Sequence, residues 1–304
     1  QQCLRPSLPS LSAPLQKLIR TLLPSNQNWL LEHFPTGLGR TQWISTTYTL
    51  LLLRHLGLPP ASAQAQQGAF LLLEKGFYRD GGINLFKSFQ HSETCVTGMT
   101  LALLCYFHLS DDGRIHRIVE HLLGQQMADG GWNCERPKGA THGSFHTTIS
   151  VLEGLHEYSL TFSDRATALA PAIAAAHEFL LLHRLYHSHR TGQVADPAMA
   201  RIYFPPRWHY DFLRVLDYFQ WLETPPDERM SDAIDLLRSK RLAAGRWKQG
   251  QNWAGRVFFE MEPVGQPGRW NTLRALRVLR WWEGGHTSRA PRSPVAASGR
   301  RPPP

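Results

Sequence analysis

The stretch QQMADGGWNCERPKGATHGSFHTTISVLEGLHE, residues 125–157, joins the end of one amphipathic helix to a glycine turn, a polar loop and the head of a second, more apolar helix. Just before it, Ile115, Ile118, Val119, Leu122 and Leu123 recur at the spacing of one helical face. Asp111 and Asp112 lie where N-caps are expected, because a short carboxylate accepts the free amide hydrogens of a first turn. Asp129-Gly130-Gly131 ends this helix, since glycine enters left-handed conformations without a Cβ clash, and Trp132 covers the turn. A loop rich in His, Gly and Thr follows, and Ser144 is the expected cap of a helix from Phe145 to about Tyr158. That helix carries Ile149, Val151, Leu152 and Leu155 with Glu153 the one charge expected in its body, so burial on most sides is expected.

Units of the same kind lie on both sides. Pro14 to Leu23 reads as a short amphipathic helix, followed by a loop through Pro35, Gly37 and Gly39 and by Trp43 at the head of the apolar helix TTYTLLLLRHLGL. Ala61 to Lys75 is amphipathic and ends in a second Asp-Gly-Gly turn at Asp80; Glu93-Thr94-Cys95 then opens the apolar helix VTGMTLALLCYF. Arg165 to Arg184 is an Ala-rich outer helix, residues 186–205 an irregular loop, and Arg207-Trp208-His209-Tyr210-Asp211 opens FLRVLDYF. Asp227 to Arg241 is amphipathic and ends in Ala244-Gly245-Arg246-Trp247, and Arg269-Trp270-Asn271 opens TLRALRVLRWW.

The heads of the apolar helices fall near Ser45, Cys95, His146, His209 and Asn271, at separations of 50, 51, 63 and 62 residues. This is a repeat of helix pairs with two enlarged loops. Half-exposed helices alternating with nearly buried ones fit an outer and an inner layer, whereas the helices of an open solenoid would differ less in polarity. The expected fold is all-α: a closed α/α toroid of outer/inner helix pairs without a sheet, spanning residues 1–284, with 285–304 a disordered Pro/Arg-rich tail. Only five pairs are visible and the sequence begins without Met, so the ring is expected to be incomplete at its N-terminus.

Of the formal net charge of +9, four arginines belong to the acid-free tail (Arg289, Arg292, Arg300, Arg301), leaving about +5 spread along the body. No run of Lys/Arg interleaved with aromatics marks a nucleic-acid surface. No stretch approaches the ~20 apolar residues of a membrane span, although peripheral membrane contact stays open. Cys3, Cys95, Cys105 and Cys134 show no CxxC spacing, and with fifteen His they suit a reducing, cytoplasmic setting. No secretory signal is visible.

The motif QQMADGGW resembles the Gln-x-x-x-Asp-Gly-x-Trp repeat of squalene cyclases and related prenyltransferase-type toroids, and the turns at Asp80 and at 244–247 resemble further copies. The resemblance covers roughly residues 40–283. It is to the short, single-toroid bacterial proteins of the terpenoid cyclase and protein prenyltransferase superfamily, called squalene-cyclase-like or prenyltransferase-repeat. It implies a toroid with a central cavity at the ends of the inner helices. The Asp-x-Asp-Asp acid of protonation-initiated cyclases and the Asp-rich metal motif of ionisation-type synthases are both missing from the sequence.

Each inner helix begins with polar or reactive side chains, which a toroid would gather at one mouth. Cys, His and carboxylate are a zinc ligand set, and Glu93-x-Cys95 with the distant His146 is similar to the Asp-x-Cys…His zinc site of protein prenyltransferase β-subunits. By that resemblance Glu93, Cys95 and His146 are metal candidates and zinc the candidate cofactor, with His146, His209, Asp211 and Glu93 as catalytic acid/base candidates. Equally, Cys95 reads as a small buried hydrophobe and His146 as a hydrogen-bonded helix-start residue. Arg207-Trp208 and Arg269-Trp270 repeat at two heads; with Asn271 and Trp43 they are candidates for binding an apolar substrate through its anionic group, or alternatively brackets for neighbouring loops. His189, Arg190 and Arg201 in the long loop are further candidates, more readily surface residues. Three functions stay open: a metal-dependent enzyme of isoprenoid or similarly apolar substrates, a non-catalytic toroid binding an amphipathic ligand, and a toroid hydrolase or lyase.

Overall fold

The computed structural model describes residues 42–86 and 88–287. The expected helix Pro14–Leu23 and the tail from residue 288 lie outside the described residues. The described helices are α1 (Thr46–His55), α2 (Ala63–Gly76), α3 (Thr94–Tyr106), α4 (Arg114–Gly124), α5 (Phe145–Thr161), α6 (Ala166–Leu182), α7 (Phe212–Trp221), α8 (Ser231–Ser239) and α9 (Arg269–Thr287). The fold is thus mostly helical. One short antiparallel pairing, β1 (Trp247–Lys248) with β2 (Pro267–Gly268), departs from the expectation of no sheet; it ties the two ends of the long loop before α9. The last helix runs to Thr287, past the boundary at 284 drawn from composition.

The alternation of polarity holds from α1 to α8, but α9, expected to be nearly buried, leaves Leu273, Leu276, Arg277 and Arg280 exposed. In α3 every residue but Cys95 is buried, whereas α4 buries Ile115, Ile118, Val119 and Leu122 and leaves its other face to solvent. α2 packs on α1 and α3, α4 on α3, α6 on α5, and α8 on α7; α1 also packs on α3, α3 on α5, and α7 on α9. The α3–α5 crossing is the closest, because Gly98 and Gly154 meet there: a Cβ on Gly98 would stand 2.7 Å from the Ser150 carbonyl oxygen and 2.8 Å from Val151 Cα.

Three links between successive helices, α2–α3, α4–α5 and α8–α9, are fastened by related local bonds. The Asp80 carboxylate accepts from the Gly82 amide (3.1 Å) and from the amide and hydroxyl of Ser92 (2.8 and 2.6 Å). Asp129 accepts from Gly131 (3.0 Å) and Gly143 (2.7 Å), and Gly81, Gly130 and Gly245 take the positive φ that these turns require. The residue after the turn, Ile83, Trp132 or Trp247, donates its amide to a threonine hydroxyl in the first turn of the next helix: Thr97 (3.0 Å), Thr148 (3.0 Å) or Thr272 (3.1 Å). Trp132 and Trp247, both fully buried, each donate the indole N–H back to a carbonyl of the preceding helix, Leu122 and Leu237, at 2.7 Å. The expected caps differ in detail. Ser144 precedes α5 without a side-chain cap bond, and Asp112 accepts from the Arg114 amide (2.9 Å) while Gly113 holds the cap position.

The inner helices are less apolar than expected, for buried ion pairs join them in series. Arg54 of α1 meets Glu157 of α5 (2.9 Å), Glu153 of α5 meets Arg214 of α7 (2.8 Å), and Asp217 of α7 meets Arg274 of α9 (3.1 Å). In the body of α5 both Glu153 and Glu157 are charged, where Glu153 alone was expected. No helix among the described residues is long and apolar enough to cross a membrane.

Candidate functional site

The segments that precede α1 and α7 meet the head of α5 at one end of the helices. The Trp43 and His209 rings are 6.1 Å apart, and His146 and His209 are 6.0 Å apart. Between α1 and the loops before α7 and α9 lies a cleft of about 290 Å³. Its walls are largely apolar, with Trp43, Leu52, Phe204, Pro205, Phe258 and Met261 among them, and the exposed Glu260 at its rim.

Arg207 lines the cleft, with its guanidinium carbon 4.1 Å from the centre of the Trp43 ring. Its backbone sits at φ 57°, a left-handed conformation that costs a non-glycine residue of order 1 kcal/mol or more. Burial draws its pKa down to about 10, so it stays a cation at neutral pH. Two donors of this wall, Arg207 Nη1 and Trp253 Nε1, are buried without a hydrogen-bond partner. Leaving such donors unpaired costs roughly 1–3 kcal/mol each, more when charged, which an acceptor in the cleft would recover. Trp43 itself is fixed by its indole N–H bond to the Ala254 carbonyl (2.7 Å).

His209 is sandwiched between Trp208 (3.7 Å) and Trp253 (3.3 Å), both near parallel. Burial lowers its pKa to about 3, with the nearby His146, Arg214 and Arg207 acting in the same direction. His146 Nδ1 accepts the Tyr210 amide hydrogen (2.8 Å), and burial brings this ring down to about 4. Both imidazoles are therefore neutral at pH 7. Asp211 is buried and caps α7 through its bond from the Arg214 amide (2.8 Å); its Oδ2 has no partner, and burial raises its pKa.

Glu93 and Cys95 gather with Cys134, whereas His146 is held by Tyr210 and lies edge-on to Trp208. Among the described residues no three His, Cys, Asp or Glu side chains are grouped to hold a metal ion. Cys95 lies close to Cys134, whose sulfur is 3.0 Å from the Thr147 hydroxyl. These neighbours lower the Cys134 pKa, while Cys134 and burial raise that of Cys95. Burial, with Cys134 nearby, pushes Glu93 up to about 7.

The second Arg-Trp pair does other work. The Arg269 side chain is 80% exposed and pairs with Glu262, and Trp270 stacks on Phe204 (5.1 Å) behind the cleft wall. Asn271 is buried and donates to the Lys248 carbonyl (3.1 Å) and Gln249 Oε1 (3.0 Å), fixing the loop before α9. Of the long-loop candidates, His189 bonds the His183 ring (2.8 Å), Arg190 is exposed, and Arg201 reaches Gln251 (3.4 Å) from an exposed position. Sequence reasoning missed Trp253 and Cys134, which stand in irregular loops where no period marks them. No protein-family model matches the chain, and neither does any curated protein.

Proposed function

We propose that the helix pairs close into a ring of the squalene-cyclase and prenyltransferase type, and that the cleft beside Trp43 binds an apolar molecule by its anionic end. What supports this is the pair of buried, unpartnered donors, Arg207 Nη1 and Trp253 Nε1, in an otherwise largely apolar wall. A guanidinium with a free edge matches a carboxylate or phosphate oxygen, and the aromatic walls match a hydrocarbon chain. Zinc is left out of the proposal, since no three His, Cys, Asp or Glu side chains are grouped to hold a metal ion among the described residues. A cytoplasmic setting belongs to it, as the free cysteines favour a reducing compartment.

An enzymatic reading draws on one further observation: His209, neutral at pH 7, stacks on Trp253 of the cleft wall and can accept a proton, whereas Nδ1 of His146 is already taken by the Tyr210 amide. The test of binding is quenching of tryptophan fluorescence by farnesyl phosphate and by farnesol. Replacing Arg207 with Met should weaken the phosphate ligand by roughly 10- to 100-fold, the equivalent of one charge-assisted hydrogen bond, and leave farnesol within about twofold. Arg207→Lys should fall between, keeping the charge and losing the fork. Equal weakening of both ligands, with a lower melting temperature, would show that Arg207 only holds the loop. Turnover of the bound ligand that is lost in His209→Gln would establish the enzymatic reading; binding without turnover would leave a binding ring.

A further inference from the structure

We propose that the molecule held in the cleft is a monocarboxylic acid, with Thr49 and Glu260 as the residues that select its head group. This rests on the cleft being the ligand site and adds which anion that site prefers.

Three buried polar atoms of the cleft lining have no hydrogen-bond partner: Arg207 Nη1, Trp253 Nε1 and Thr49 Oγ1. The first two can only donate. The third is the less expected. Thr49 lies inside α1 and is 2% exposed, where a threonine commonly returns its hydroxyl to the carbonyl four residues back. Thr97, Thr161 and Thr272 do so, to Glu93, Glu157 and Gly268. Before Thr49, the Ser45 carbonyl accepts the Thr49 amide (2.9 Å), while the Thr49 hydroxyl has no partner and keeps its proton for the cleft. A carboxylate accepts without donating and has about four lone-pair sites, so it can take all three donors. An alcohol offers one oxygen with two lone pairs and brings a donor of its own.

Charge separates the carboxylate from a phosphate. Arg207 and Glu260 are the charged residues among the described residues that line the cleft. One cation matches one negative charge. A phosphate monoester carries about −1.5 to −2 at pH 7, so its second charge finds no cation and is repelled by Glu260 at the rim. Glu260 is exposed, which makes that repulsion modest and sensitive to salt. The hydrocarbon part of the acid would lie along Leu52, Phe204 and Phe258 of the same walls.

The experiment is a fluorescence and calorimetric titration of the full chain with three ligands that share one chain: farnesoic acid, farnesyl phosphate and farnesol. Expected is an acid bound about three- to tenfold tighter than the phosphate and at least tenfold tighter than the alcohol. Thr49→Val keeps the side-chain shape and should weaken the acid roughly tenfold while leaving farnesol within about twofold. Because it deletes a buried group that has no partner in the free protein, its melting temperature should hold or rise by about 2–4 °C. Glu260→Gln should tighten farnesyl phosphate about two- to fivefold at low salt, change the acid less, and lose its effect as salt is added. Phosphate binding as tightly as the acid, or an unchanged acid affinity in Thr49→Val, would overturn the selection of a monocarboxylate and leave an anion-binding cleft standing. Weaker acid binding in Thr49→Val together with a lower melting temperature would overturn Thr49 as a selecting residue. If acid and phosphate bind no tighter than farnesol, the cleft reading itself fails, and this proposal with it.

Discussion

Replacing Glu153 with Leu tests the buried charges that join the inner helices. Arg214, with a side chain 4% exposed, places Nε and Nη2 on the two Glu153 oxygens at 2.9 and 2.8 Å, and Nη1 on the His209 carbonyl at 2.9 Å. Removing Glu153 deletes two charge-assisted bonds and leaves a cation out of reach of water. The His209 carbonyl compensates one edge only. The expected loss is about 3–5 kcal/mol. Arg214→Leu should cost less, because the stranded Glu153 still lies near Arg54 and His55. The double variant should recover part of the loss, with a coupling energy on the order of 1–3 kcal/mol, since neither charge is then stranded. The assay is urea unfolding of the four proteins, followed by circular dichroism and tryptophan fluorescence, with an unchanged m-value as the control for two-state behaviour. A Glu153→Leu cost below about 1 kcal/mol, or simple additivity in the double variant, would refute the view that this pair is a dry, mutually dependent contact.

Gly98→Ala should destabilise by about 1–3 kcal/mol or abolish folding, because its methyl would press on the Ser150 carbonyl and Val151 backbone, neither of which is a flexible side-chain end; thermal melts decide it. Trp132→Phe should cost about 2 kcal/mol or more in urea unfolding, since it removes a buried indole bond to Leu122 and part of a fully buried side chain, and Trp247→Phe should behave alike if the two units are equivalent. Burial among Arg54, Arg274 and Arg214, with Glu153 opposing, holds His55 down to about 3. Below pH 6.5 the unfolded chain therefore binds a proton that the folded one refuses, so stability present above 6.5 declines as pH falls toward 3. The slope of stability against pH in that window should be shallower in His55→Gln.

The elements were legible because their signals are local. The face of α4, the turns at Asp80 and Asp129, and the opening of α7 after Asp211 each depend on residues a few positions apart. Which long side chain turns inward does not follow from spacing. Arg207 and Arg269 carry the same neighbour, yet Arg207 folds over Trp43 while Arg269 turns out to Glu262. The difference lies in the left-handed backbone of Arg207, invisible in a dipeptide. Likewise Arg54, Glu157, Asp217 and Arg274 look like helix-surface charges until the partner helix is known. Trp253 and Cys134 gain their places only through contacts with distant segments.

The fastening of α2 to α3, α4 to α5 and α8 to α9 also bears on the order in which the chain assembles. The tryptophan and threonine bonds among them close spans of only 10 to 25 residues, whereas the ion pairs between α1, α5, α7 and α9 close spans of 57, 61 and 103 residues. Short closures cost little chain entropy and form early; long ones wait until the intervening chain is ordered. Each helix pair is thus a unit that can nucleate by itself, as in linear repeat arrays. The Arg54–Glu157 pair closes the longest of these spans, so the same reasoning expects its charges to leave water last, as α1 and α5 meet.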